Sequence, residues 1–348
     1  MQTLLKFFLT IIILATINAC NEIPIEVAET QSGKIVFVVL DTGTYRSNIY
    51  QMDLKGENVK QLTFANEILD TTDFPSAGRI RGSASEPRWS PDGKKIVYSE
   101  SQGPDESHIV IMNEDGSSKK TLTNVGAYCI RPRWNPQGDR ILYLRGTYSG
   151  AIIATSIVDT NGVYYGGSSF DIHIAPDSRV FEDDSIWYDT GDSQWYLDGQ
   201  HLYVWGNIGG FPSIPVCGEN TNGEIFLLEI ATGKVVSRLT HNRVDECGFE
   251  MSPAGTQLLV VRGLYQTNRK IYLMHLDDPS LSAITTGKND NLPRWSNDGS
   301  IIVFAKDIND DPYVENRKIF LVNPNQPLKE TQVSSLKGDQ PDIFIQRP

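Results

Sequence analysis

The side chains best placed for chemistry in this chain are arginines and carboxylates that recur just before or within a short Pro-Arg-Trp segment. They are Glu86 and Arg88, Arg131 and Arg133, Asp192, Asp245, Glu246 and Glu250, Asp290 and Arg294, and Asp339. Arginine's planar fork binds both oxygens of a carboxylate. Such a set therefore either ties the fold together as ion pairs or recognises a sugar, a peptide or an ion. Other chemistries find less support. The histidines (His108, His173, His201, His241 and His275) have no metal-ligand spacing. No Gly-x-Ser-x-Gly nucleophile elbow occurs, and GGSSF at 166–170 does not fit one. Asp307-Ile308-Asn309-Asp310-Asp311 starts like a calcium loop, but Pro312 stands where glycine is needed and Lys318 takes the twelfth place. No cofactor and no metal are expected.

The elements that must position these residues are repeats. PRWSPDG at 87–93 precedes KKIVYSE, PRWNPQG at 132–138 precedes DRILYLRG, and PRWSNDG at 293–299 precedes SIIVFAKD. Two degenerate copies, WYLDG at 195–199 and MSPAG at 251–255, lie between them. The turn has a reason at each position: Pro presets φ, Asp bonds its own backbone and Gly accepts positive φ. The flanks are rich in β-branched and aromatic residues, as strands are. Each unit has a second half ending in Leu-Thr or similar, as at Leu62-Thr63, Leu122-Thr123 and Leu239-Thr240. A unit is thus four short antiparallel strands, A to D, which cannot bury both faces alone and must stack around an axis.

The expected fold is an all-β, six-bladed β-propeller of four-stranded antiparallel blades. The first unit, from Lys34, lacks a strand A. Gln340–Phe344 supplies one, so the C-terminal strand closes the ring and removes an open edge. Seven blades are the alternative, because 155–192 is long and poorly patterned. The repeat resembles that of the TolB family over residues 34–345. Related propellers of prolyl oligopeptidase-type enzymes and oligogalacturonate lyases have similar turns. The resemblance implies the propeller, but propellers host many unrelated activities. No α/β-hydrolase domain follows the propeller here, and the lyases' metal ligands find no match.

Propeller connectivity puts the tight A–B and C–D turns on one side. The long segments 40–47, 65–85, 175–192, 206–222 and 305–316 fall on the other, which marks that side as the binding face. Tyr164, Tyr165, Trp187, Tyr188 and Phe211 are its candidates for stacking on a ligand. Trp89, Trp134, Trp195 and Trp295 are expected in the core between blades. Cys217 and Cys247 would share the long-loop face at neighbouring blades, as a disulfide or as two thiols. Cys129 lies in another link there.

The N-terminus is an address. Lys6 precedes an apolar run from Phe7 to Ala15, then Asn18-Ala19-Cys20. The run is a secretory signal, too short to span a membrane. Its end resembles the bacterial lipobox, which implies cleavage of residues 1–19 and lipid on Cys20. Residues 20–33 are a tether and 34–348 the propeller. Asn21 lacks the Asp associated with inner-membrane retention, which favours the outer membrane. A formal charge of −12 argues against a nucleic-acid partner. The expected role is a non-catalytic envelope lipoprotein that binds a protein or glycan. A carbohydrate-active lyase or hydrolase at the channel mouth is the alternative.

Overall fold

The computed structural model describes residues 32–41, 43–44, 46–65, 82–103, 106–123, 127–146, 152–165, 171–172, 186–208, 223–241, 249–263, 269–287, 289–309 and 316–346. The signal segment 1–19, Cys20, Cys217, Cys247, Asp245 and Glu246 lie outside these residues, as does the side chain of Asp192. Among the described residues every element is a strand, and no helix is long and apolar enough to cross a membrane.

The strands fall into four-stranded groups, each a meander in chain order. The first sheet is the exception in order: its innermost strand is the last of the chain, Asp339–Gln346, followed by Ser32–Asp41, Arg46–Asp53 and Lys60–Gln61. The second runs Ala84–Trp89, Lys95–Ser101, Ser107–Asn113 and Lys120–Thr121. The third runs Tyr128–Trp134, Arg140–Gly146, Ile152–Asp159 and Asp171–Ile172. A single parallel pairing, Ser107 with Tyr128, links these two. The fourth comprises Ile186–Trp195, His201–Ile208, Gly223–Glu229 and Lys234–Arg238. Glu250–Met251, Gln257–Arg262, Lys270–His275 and Asp278–Ala283 make the fifth, and Asp290–Trp295, Ile302–Asp307, Arg317–Val322 and Glu330–Gln332 the sixth. In the first sheet Ile343 pairs with Ile35 and Asp342 with Val36, both antiparallel.

Local chemistry repeats with the sheets. At the tight turn Ser90 Oγ donates to Asp92 Oδ1 at 2.7 Å and accepts the Lys95 N–H at 2.9 Å. Ser296 and Asp298 repeat the first bond at 2.7 Å, with the Ile301 N–H as donor to Ser296 Oγ at 3.0 Å. The Leu-Thr ending also has a physical role. Thr63, Thr123, Thr240 and Thr285 each accept a strand-C N–H, from Ile49, Ile109, Ile225 and Ile271, at 2.8–2.9 Å. Ser334 does the same for Ile319. Each hydroxyl satisfies a buried amide that the short outer strand cannot reach.

The core lies between sheets. Val36 and Ile49 of the first pack with Trp89 and Tyr98 of the second, and Val97 and Ile109 with Trp134 and Tyr143 of the third. Leu142 packs with Trp195 and Phe226, Tyr203 with Phe249 and Met251, and Leu259 with Trp295 and Phe304. Val303 and Ile319 of the sixth sheet pack against Ile35, Phe37 and Ile343 of the first. Each sheet therefore buries both faces. Cys129, expected in a link, is in strand Tyr128–Trp134, fully buried between the second and third sheets. Burial pushes its thiol up to about 11.

Candidate functional site

The innermost strand of each sheet carries one residue, just before the Trp position, that meets its counterparts at the centre. In sheet order from the second these are Arg88, Arg133, Gln194, Glu250 and Arg294, and the first sheet supplies Asp342. Arg88, Arg133, Glu250 and Arg294 were expected to approach this channel. Gln194 and Asp342 were not, because PRW has decayed to SQW and PDI in their repeats. Aligning the repeats on that middle position would have found both.

Three guanidiniums converge on one carboxylate. Arg133 Nη1 donates to Glu250 Oε2 at 2.9 Å, with Arg294 Nη1 3.4 Å from the same oxygen. Arg88 Nη1 lies 3.6 Å from Glu250 Oε1 and 3.8 Å from Asp342 Oδ1. Burial alone would raise the Glu250 carboxyl. Arg133, Arg294 and Arg88 outweigh it and hold the group down at about 2. Asp342 goes the other way: burial raises it to about 6 against the pull of Arg88 and the Trp89 N–H. Burial, then repulsion from Arg294 and Arg133, lowers Arg88 to about 9. At neutral pH the cluster holds three cations against two acids.

Hydrogen bonds tie five of the central residues, Arg88, Arg133, Gln194, Glu250 and Asp342, to the next sheet. Asp342 Oδ2 accepts the Trp89 N–H at 2.7 Å, and Gln194 Oε1 accepts the Met251 N–H at 3.0 Å. The indoles of Trp134, Trp195 and Trp295 donate to the carbonyls of Arg88, Arg133 and Glu250 at 3.0–3.3 Å. All four of these tryptophans are buried.

Two residues upstream the strand is forced into the left-handed region without glycine: φ is 55° at Glu86, 54° at Arg131, 51° at Leu292 and 49° at Gln340. Pairing shifts register at the same places, between Ser85 and Arg88, Ile130 and Arg133, and Asn291 and Arg294. This is a β-bulge repeated around the centre, and such bulges re-aim side chains. One consequence concerns Asp290. The extra residue puts Asn291 on the face of Arg294 and Asp290 on the opposite one, where it pairs with Lys306 at 3.6 Å. Lys306 also bonds Glu330 and Thr286, the latter at 2.8 Å. Burial raises the Asp290 carboxyl to about 6. Asp339 likewise engages Arg317 of the sixth sheet at 2.5 Å. Neither Asp290 nor Asp339 lines the central cavities.

The cluster forms a waist between two cavities that both touch Arg88 and Arg133. The one on the tight-turn side, about 640 Å³, has Glu250 and Asp342 in its wall beside the tryptophans and turn prolines. The other, about 400 Å³, adds Glu86, Arg131, Arg269 and Arg294, so among the described residues five arginines face a single glutamate there. That second cavity opens on the long-loop side, since it is lined by the residues upstream of the bulge. Arg269 Nη1 donates to Asn291 Oδ1 at 2.9 Å, and Glu86 Oε2 accepts the Arg131 N–H at 2.6 Å. Tyr164 and Tyr165, expected to stack on a ligand, sit beside the third sheet, where Tyr164 packs against the core and Tyr165 lies under Arg140. Among the described residues no three His, Cys, Asp or Glu side chains are placed to hold a metal ion.

No protein-family model matches the sequence, and neither does any curated protein. Solved structures do match in shape. TolB from Acinetobacter baumannii superposes with a TM-score of 0.57 at 15% identity, over 89% of this chain and 66% of that one. The chain thus spans just under two thirds of that protein's length. A TolB-type protein from Agrobacterium tumefaciens gives 0.53 at 14% identity, covering 92% and 99%. A chain of a nidogen/laminin complex gives 0.51 at 9% identity, covering 90% and 98%. What these proteins share with this chain is architecture, an all-β fold of the propeller kind.

Proposed function

We propose that the chain is a lipid-anchored envelope protein whose propeller binds a partner at the arginine-lined mouth, without catalysis. In this reading the propeller has six blades closed by the C-terminal strand. The pairing of Ile343 with Ile35 and the packing of both against Val303 support that closure. Residues 1–19 are a cleaved signal, Cys20 carries lipid, and 20–33 tether the propeller to a membrane, the outer one by the Asn21 argument. A protein or a glycan is the partner class.

One observation carries the choice of binding over catalysis: among the described residues the charges at the centre are already partnered between sheets. An acid–base catalyst needs titratable groups converging within reach of substrate and free to exchange protons. Glu250 is instead held ionised by three guanidiniums, and Asp290 and Asp339 are paired away from the mouth. The test is affinity capture from solubilised envelope with the full chain and with Arg131→Glu. Stoichiometric recovery of one partner, lost in the variant, supports the reading. Turnover of an envelope polysaccharide by the purified chain overturns it.

A further inference from the structure

The arginine-lined mouth adjoins a third cavity of opposite chemistry. It measures about 290 Å³, and six serines (Ser47, Ser83, Ser85, Ser99, Ser101 and Ser107) line it together with Leu40, Tyr128 and Ile130. Glu86 and Gln340 line both it and the mouth, and they are bonded to each other through the Glu86 N–H and Gln340 Oε1 at 2.7 Å. Several of the serine protons are committed elsewhere. Ser99 and Ser107 both donate to the Cys129 carbonyl, at 2.7 and 2.8 Å, and Ser101 donates to the Gly103 carbonyl at 3.0 Å. A hydroxyl whose proton is committed still has lone pairs to offer. The serine pocket therefore presents acceptors and suits a ligand group rich in O–H donors. The mouth presents guanidinium donors and suits a carboxylate.

A single ligand satisfies both when it carries a carboxylate on a polyhydroxyl ring. We infer that the mouth binds a sugar acid, with the carboxylate among Arg131, Arg269 and Arg294 and ring hydroxyls in the serine pocket. An acidic peptide would satisfy the arginines but offers few hydroxyl donors to the serines. This inference rests on the binding reading above and narrows it to an acidic glycan.

The experiment is calorimetric titration of the purified full chain with digalacturonic acid, with neutral galactobiose and with an aspartate-rich tetrapeptide. Digalacturonic acid is expected to bind about tenfold or more tighter than galactobiose, the size of one good charged contact. Arg131→Gln should weaken the acid by about tenfold, one charged contact of the three, and so narrow its lead over galactobiose. Ser101→Ala should weaken both sugars, and Ser85→Ala serves if the first variant fails to fold. Equal affinity for the two sugars, tighter binding of the peptide than of the acid, or no binding of any probe overturns the inference. A captured protein partner that depends on Arg131, together with no sugar binding, sinks the sugar acid alone and leaves the binding mouth in place.

Discussion

Asp342, in the last strand of the chain, accepts the backbone N–H of Trp89 in the second sheet at 2.7 Å. The same carboxylate faces Arg88 at 3.8 Å. One side chain thus joins the last strand to the second sheet, by a bond and by charge. Asp342→Ala should cost about 2–4 kcal/mol, because it orphans a buried amide and removes a counter-charge. Asp342→Asn retains an acceptor and should cost less. Urea unfolding of the two variants checks this, and equal losses would argue against the amide bond as the main contribution.

Glu250 is the counter-ion of three arginines, so Glu250→Gln should destabilise by about 3–5 kcal/mol, as when one partner of a buried ion pair is removed. The loss should shrink when sulfate is added, since an anion can re-enter among the guanidiniums. Thermal unfolding of the variant across a sulfate titration, set against wild type, is the measurement. A sulfate response no larger than that of wild type would go against it.

Stability should pass through a maximum at mildly acid pH. Asp342 and Asp290 sit near 6 when folded, against an ordinary 3.8. Between those values the folded state binds protons the unfolded chain has released, so stability rises as pH falls from 7 toward 4.5. Glu250 lies near 2 when folded, against 4.5. Its contribution is present above 4.5 and is lost as pH falls toward 2. Each fully transferred proton gives a slope of about 1.4 kcal/mol per pH unit. Denaturant midpoints at pH 7, 4.5 and 3 test the peak, and Asp342→Asn should flatten its neutral side. Stability that only declines from pH 7 downward would contradict the assignment.

Two turn glycines separate backbone strain from crowding. Gly93 and Gly138 have φ of 70° and 74°. A methyl group at Gly138 would lie 3.6 Å from Pro91, whereas at Gly93 it would sit 2.3 Å from the Phe344 ring. Gly138→Ala should cost about 1–2 kcal/mol, the left-handed penalty alone. Gly93→Ala should cost clearly more, because Phe344 must move. Equal losses in denaturant melts would mean the ring yields freely.

Cys20→Ala should move the protein from the membrane to the soluble fraction on cell fractionation. Lipid chains anchor in proportion to the methylenes they bury, at about 0.8 kcal/mol each. Persistent membrane association of the variant would defeat the anchor.

What could be read in advance follows how local each signal is. Ser90-Pro91-Asp92-Gly93 folds by bonds within five residues, and Thr63 caps an amide only fourteen residues away. Both were visible as repeats. The pairing of Gln340–Phe344 with the first sheet was legible because that sheet lacked an inner strand. The bulge was not, since Glu86, Arg131, Leu292 and Gln340 share a backbone conformation but no residue type. Missing it puts Asp290 on the same face as Arg294 by simple alternation, where the structure puts it opposite.

The central positions differ around the axis: three arginines, a glutamine, a glutamate and an aspartate stand at equivalent places in similar sheets. Near-identical spokes thus meet at a lopsided hub. In the six-bladed binding reading proposed above, a molecule descending along the axis finds its charges matched at one angular setting and mismatched at the other five, so the scaffold's rotational redundancy ends where recognition starts.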